Sequence, residues 1–323
     1  MKTNVNTKKI AVVGAGFVGG TIAYTLAMAG IVPEIAVVDI AEDKAEGQVA
    51  DIIDGASLLP AVYMHAGGYE ACADADIVVI TAGVGRKPGQ TRLELAQINV
   101  GIIKDMVEQI VHYAPNAVLL VVSNPVDVLT YAALKYSGFP AHRVVGSGTL
   151  LDTVRLRRQL SEHLNVPVAD MEAMVLGEHG DTAMVPWSLA QVKGVPLDQF
   201  CTKRREAGLP VMEDKDYDAI LQRVHEAGQF VIKRKGATYY AIALVVTDIC
   251  TAIIRNATSV MTVSSYVQDW NGIDDVSLSL PQIVGGRGLM GVVPTELTKD
   301  EMALLRRSGD KLRETLKLVN LID

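Results

Sequence analysis

The fold class predicted by the sequence is α/β: a doubly wound parallel sheet followed by a mixed α+β domain. Three observations predict it. Short branched runs alternate with longer helical segments through the first half, the branched runs carry few polar interruptions, and the texture changes after Gly146-Ser147-Gly148. Residues 10–13, 35–38, 77–81 and 117–122 read as strands buried on both faces, as a parallel sheet covered by helices requires. Between them, 17–29, 41–53, 93–113 and 126–136 have helical composition or spacing, and the order βαβα argues right-handed crossovers within one sheet. Beyond the boundary come a basic helix at 150–164, a strand at 173–176 and a histidine loop. Helices at 217–234 and 239–254, strands at 260–267 and 276–280, and an amphipathic helix at 299–319 follow. The expected domains are 1–147 and 148–323.

With 323 residues, 49% of them hydrophobic, the chain has ample apolar content for a large core and is not disordered. Its 30 basic and 37 acidic residues give a net charge of −7, the wrong sign for a nucleic-acid partner. Small anionic substrates stay compatible, because a few buried arginines decide such a site. Cys72, Cys201 and Cys250 are odd in number and far apart, so neither a disulfide framework nor a metal cluster is expected, and a reducing cytoplasmic setting fits. The longest apolar run, 239–246, is too short for a membrane span, which needs roughly 18 residues.

Gly14-Ala15-Gly16-Phe17-Val18-Gly19 follows the first strand and opens an apolar helix. In that context G-x-G-x-x-G is the dinucleotide-binding fingerprint of a Rossmann domain. Gly14 permits the tight turn, Gly16 lets backbone approach a pyrophosphate, and Gly19 lets helix pack on strand. Asp39, 20 residues past Gly19 at the end of the second strand, is placed to bind ribose hydroxyls. Its carboxylate would repel a 2′-phosphate, and no arginine lies in the next several residues, so the expected cofactor is NAD.

A segment with three glycines, a proline and two arginines, Thr81 through Arg92, begins at the carboxyl edge of the third well-defined strand and reads as a charged mobile lid. Three more segments carry polar residues: Ser123-Asn124-Pro125-Val126-Asp127, Leu151-Asp152-Thr153-Val154-Arg155 and Gly177-Glu178-His179-Gly180-Asp181. Together with the lid and the fingerprint they closely resemble the lactate/malate dehydrogenase family, in the same order and at similar spacing, from about residue 9 to 318. The resemblance implies reduction of a 2-oxo acid. His179 would be the acid/base, a role that suits a group titrating near neutral pH. Asp152 would hold its other ring nitrogen. Arg155, one helical turn on, would grip the substrate carboxylate as a bidentate fork; a simple helix ion pair is the structural reading of the same spacing. Arg92 would stabilise charge on the carbonyl oxygen, Asn124 would hydrogen-bond near carbonyl and nicotinamide, and Thr238 would sit beside the substrate side chain. By family position Phe17, Val18, Lys44, Tyr69, Thr81, Gly83, Val84, Val122 and Asn124 line the cofactor cleft.

Ser147-Gly148-Thr149, Glu178, Pro186-Trp187-Ser188 and Thr238 are similar to the lactate branch of that family, whereas Arg86 is not. Lactate enzymes usually carry glutamine at this lid position and malate enzymes arginine, so oxaloacetate activity is expected on a lactate-type scaffold. A dedicated malate dehydrogenase and a catalytically silent NAD-sensing module are the alternatives. The resemblance also implies a homotetramer. Bacterial relatives are often activated by fructose 1,6-bisphosphate through an arginine and a histidine. Arg157 matches the arginine, but Glu172 stands in the histidine's place, so weak or absent activation is expected.

Overall fold

The computed structural model describes residues 8–323 apart from 86–88 and 90. Its first half runs β1 (Lys9–Val13), α1 (Phe17–Ala29), β2 (Glu34–Val38), α2 (Glu42–Ile53), β3 (Tyr63–Gly67), β4 (Ile77–Ile80), α3 (Arg92–Tyr113), β5 (Val118–Val121), α4 (Val126–Ser137) and β6 (Val144–Gly146). The second half runs α5 (Leu150–Leu164), β7 (Met171–Glu172), β8 (Gln191–Val192), β9 (Val195–Pro196), α6 (Leu197–Glu206), α7 (Asp214–Lys235), α8 (Tyr240–Arg255), β10 (Ser259–Val267), β11 (Val276–Gly285), β12 (Gly288–Val292) and α9 (Lys299–Leu318).

The parallel strands lie in the order β3-β2-β1-β4-β5-β6, the doubly wound arrangement, with its switch point between β1 and β4. Alternate residues of each strand serve opposite cores. Ala11, Val13, Val78, Ile80, Leu119 and Val121 face one, with Ile103 and Val107 of α3 and Leu129 of α4. Ile10, Val12, Ile77, Val79 and Leu120 face the other, with Ile22 and Leu26 of α1 and Ile249 of α8. Burial on both faces explains why these strands read as continuous apolar runs. Helix α1 ends where Gly30 turns left-handed (φ 58°) and returns its N–H to the Leu26 carbonyl. Helix α3 starts on a capping box in which Thr91 Oγ accepts from the Glu94 N–H at 3.1 Å and Glu94 accepts from the Thr91 N–H at 2.8 Å.

The second half does not build a separate sheet for its long strands. β10, β11 and β12 continue the parallel sheet as an antiparallel wing, joined where Ser264 pairs with Gly146, while β7, β8 and β9 form a small sheet of their own. Six strands, β3, β6, β7, β8, β9 and β12, escape sequence patterning. β3 (Tyr-Met-His-Ala-Gly) is an edge strand with only Met64 fully buried, and β6 is three residues long. α6 and β12 likewise lack an apolar period strong enough to announce them.

One expected element is absent. Residues 173–176 do not form a strand; only Leu176 and Gly177 make isolated bridges, to Met184 and Ser279. The reason lies in α5, whose side chains take the backbone groups a strand partner would use. Thr153 Oγ accepts from the Val175 N–H (2.9 Å), Thr149 Oγ donates to the Val175 carbonyl (2.5 Å), and Arg157 Nε donates to the Ala173 carbonyl (2.9 Å). With those groups satisfied, extended backbone needs no ladder.

Gly148 makes the crossing from sheet to α5. It sits at φ 54°, and a Cβ there would lie 2.4 Å from both the Ser264 nitrogen and Ser279 Oγ. Gly148→Ala combines that clash with left-handed strain and is expected to cost about 2–4 kcal/mol. Calorimetry should show a melting temperature lower by roughly 3–6 °C.

Candidate active site

Because β1, β2, β4, β5 and β6 are parallel, the loops that follow them emerge on one edge of the sheet. Gly14, Asp39, Thr81, Val122 and Ser147 each begin such a loop. The fingerprint turn is built by backbone contact. The Gly14 N–H reaches the Val38 carbonyl at 2.7 Å, and at φ 107° a Cβ on Gly14 would strike Thr81 Oγ. A Cβ on Gly19 would sit 1.7 Å from the Gly14 carbonyl oxygen, so helix and strand touch there. Gly16 is different: a Cβ there meets nothing nearer than Lys44 Nζ at 4.0 Å. That open space at a helix N-terminus is the cradle a pyrophosphate would fill. Asp39 accepts from the Ala15 N–H (2.7 Å) and the Ala41 N–H (3.0 Å), so its carboxylate braces the fingerprint while retaining acceptor capacity for ribose hydroxyls. Thr81 donates to the carbonyls of Val13 and Gly14 at 3.1 and 3.0 Å. Tyr69 is half-buried; desolvation and the nearby Asp39 charge, among other neighbours, raise its phenol above the ordinary value. These residues fit NAD.

Val84 and Asn124 are brought together by Asn99, a buried residue that sequence patterning does not single out. Its amide accepts from the Val84 N–H (2.9 Å) and donates to the carbonyls of Val84 (3.2 Å) and Asn124 (2.7 Å). Val122 is buried beneath this point, while Val18 is half-buried and Phe17 exposed on α1. Phe17 stacks on Tyr239 with centroids 5.6 Å apart, which brings the segment holding Thr238 over the fingerprint helix. Arg86 lies outside the described residues, as does the side chain of Arg92.

The other wall is a charge cluster on α5. His179 Nδ1 lies 2.5 Å from Asp152 Oδ2, and Arg155 Nη1 lies 3.0 Å from Asp152 Oδ1. The Asp152 side chain is 8% exposed and that of His179 28%, so the pair is sheltered while the imidazole keeps a face to the cleft. Burial pushes the Asp152 carboxyl up, but the charges and hydrogen bonds of His179 and Arg155 outweigh it and hold it below the ordinary value. Its place in the first turn of α5 adds the helix dipole in the same sense. The Asp152 charge raises His179 from 6.5 to about 9 against the opposing effect of burial. The histidine loop is fixed on three sides: Gly177 bridges Ser279 of β11, the Glu178 N–H donates to Ser308 of α9 (2.7 Å), and the His179 N–H donates to Asp127 of α4 (2.7 Å). The cluster can hold a proton above neutral pH beside a guanidinium able to bind a carboxylate. Among the described residues no group of side chains suits a metal ion, and no helix is long and apolar enough to cross a membrane.

Family models match the chain in two stretches: the NAD-binding domain of lactate/malate dehydrogenases over residues 8–146, and their alpha/beta C-terminal domain over 149–321. The chain belongs to the lactate/malate dehydrogenase family. It is therefore an NAD-dependent oxidoreductase. Among its relatives, the L-lactate dehydrogenase of Acetivibrio thermocellus is 43% identical, covering 99% of this chain and 100% of that one. L-lactate dehydrogenase 1 of Clostridium acetobutylicum is 44% identical over 98% and 99%. A solved structure, the minor L-lactate dehydrogenase of Enterococcus mundtii, superposes with a TM-score of 0.92 at 35% identity, covering 98% of this chain and 99% of that one. A lactate dehydrogenase from a Medee basin deep-sea metagenome library gives 0.91 at 38%, over 97% and 99%.

The charge cluster sets a pH dependence. A raised histidine pKa keeps the proton-donating form populated below that pKa and loses it as pH rises through it. Asp152→Asn removes the main cause of the rise, so the alkaline limb of kcat/KM for NADH-dependent 2-oxo acid reduction should move down by more than about one pH unit. A pH profile of initial rates checks this.

Proposed function

We propose that this family member reduces 2-oxo acids to L-2-hydroxy acids with NADH, converting pyruvate to L-lactate and, through Arg86, accepting oxaloacetate as well. The observation that carries the reading is one carboxylate, Asp152, bound at once by His179 and by Arg155 beside the cofactor cleft. NADH, when bound, supplies the hydride. His179 gives its proton to the carbonyl oxygen as charge develops there, and Asp152 fixes the Nδ1–H tautomer and compensates the imidazolium beforehand. Arg155 holds the substrate carboxylate, and Arg92 stabilises the oxygen from the lid. Asn124 faces carbonyl and nicotinamide, and Thr238 borders the substrate side chain. The names of the relatives support pyruvate as substrate.

Arg86 favours oxaloacetate on electrostatic grounds. With the lid closed, Arg86, Arg92, Arg155 and protonated His179 carry four positive charges against Asp152. Oxaloacetate brings two carboxylates and pyruvate one, so closure over pyruvate leaves a guanidinium poorly paired, at a cost of up to about 3–5 kcal/mol. A dedicated malate dehydrogenase is the limiting case of this argument.

The chain also presents an apolar face suited to a second copy of itself, in keeping with a homotetramer. Phe17, Tyr24 and Met28 of α1, Leu58 beyond α2, and Tyr240 and Leu244 of α8 are all exposed. Most of them line one groove of about 560 Å³. At the proposed phosphate position, Arg157 is held by the Ala173 carbonyl, and its charge is answered by Glu172. A sugar phosphate would meet an arginine whose charge is already compensated and a carboxylate that repels it.

Three outcomes test the reading. Spectrophotometric assays should show that Arg86→Gln shifts the ratio of kcat/KM for oxaloacetate over pyruvate toward pyruvate by about 100-fold or more, as a lost charge pair implies; an unchanged ratio removes Arg86 from the site. His179→Asn should lower kcat by about 100-fold or more with both acids. Fructose 1,6-bisphosphate at low salt should change KM for pyruvate by less than about twofold, in keeping with repulsion at Glu172.

A further inference from the structure

Asp127 is a buried titratable group that the mechanism above does not use. It stands in the first turn of α4, 3% exposed, and both carboxylate oxygens are engaged. Oδ2 accepts the backbone N–H of His179 at 2.7 Å, and Oδ1 accepts the hydroxyl of Ser264 from β10 at 2.6 Å. His179 is thus held by two carboxylates from two helices, Asp152 on its ring and Asp127 on its backbone. We infer that Asp127 is a positioning residue for the reaction: it fixes the main chain of His179, and its buried charge acts with that of Asp152 to keep the imidazole protonated. The inference rests on the reading of His179 as proton donor.

Geometry supports both halves. A hydrogen bond to a charged acceptor is stronger than one between neutral groups, so the contact pins a residue otherwise flanked by Gly177 and Gly180. Burial raises the Asp127 carboxyl to about 6 even against the lowering effects of Ser264, the His179 N–H and the imidazolium charge, so the charged form predominates over the alkaline range in which His179 titrates. The Asp127 charge in turn raises His179, with Asp152 acting in the same sense and Arg155 in the opposite one. Glu178 is a further charged neighbour of Asp127; from β10 the Ser264 hydroxyl bonds it, and Ser308 of α9 is engaged by the Glu178 N–H.

Three variants test this through the alkaline limb of kcat/KM for pyruvate reduction, with NADH binding followed by fluorescence to confirm folding. Asp127→Asn keeps an acceptor for the His179 N–H but loses the charge. Its limb should move down by about half to one pH unit, less than in Asp152→Asn, with kcat reduced and NADH affinity kept. Ser264→Ala acts the other way. Without the hydroxyl dipole the carboxylate is less compensated, and the limb should move up by about 0.3 unit. Opposite signs are not what a merely structural role would give. An Asp127→Asn limb that coincides with wild type while Asp152→Asn moves overturns the inference. Should Asp127→Asn not fold, a limb in Ser264→Ala that stays put or moves down overturns it equally. If even Asp152→Asn leaves the limb in place, the reading of His179 as proton donor fails, and this inference with it.

Discussion

A carboxylate sheltered from water on the first turn of a helix is unfavourable unless positive groups answer it, and at Asp152 they come from two directions. Arg155 is supplied by the same helix, one turn on, and costs nothing in topology. His179 is supplied by a loop 27 residues downstream, and holding it there constrains much of the second half of the chain. Gly177 must bridge β11, Glu178 must reach α9, and the His179 backbone must reach α4. Remove the carboxylate and the imidazole loses its fixed tautomer and the main charge that keeps it protonated. The chemistry and the packing of this region therefore share a single electrostatic requirement.

That requirement explains why the space between α5 and the antiparallel wing is polar where an apolar core would be simpler. The Thr149 N–H donates to Ser279 Oγ, and the Thr153 and Thr262 hydroxyls meet at 2.9 Å. Each is buried and each is satisfied. Such a network fixes the height and rotation of α5 more narrowly than side chains without directional bonds would, and Asp152 and Arg155 ride on that helix. Extending one sheet through both halves serves the same end. The cofactor edge of the parallel strands and the strands bracing α5 become parts of one rigid layer, joined through Ser264 and Gly146. Ser264 also bonds Asp127, so the junction of the sheet and the support of the histidine loop are the same residue.

Much of the parallel half was legible from the sequence because its physics is local. Doubly buried strands must be branched and apolar, α1 and α5 are bounded by turn residues, and the fingerprint glycines belong to the tight turn that joins β1 to α1. The unread elements fail that condition. β3 is a half-exposed edge strand held by its pairing to β2, with His65 meeting Glu34 at 3.1 Å, and β6 is too short to show a period. Residues 173–176 have strand composition but find their hydrogen-bond partners in α5 side chains, which no local pattern reveals.

The residue types of the site, glycines for a turn, an acid after β2, a histidine between glycines and an Asp-Arg pair one turn apart, follow from the sequence alone, since each is required by its own chemistry or by backbone geometry nearby. Tertiary structure decided which of them meet. Asp152 and His179 become partners only when the loop is drawn back across α5. Asn99, in no motif, and Asp127, in a motif but without a role there, acquire their parts because folding sets them against backbone groups 15 to 52 positions away. Composition and period record what a segment needs to bury or to bend. They do not record which distant dipole will satisfy a buried amide or carboxylate, because that pairing is selected by the closed fold as a whole.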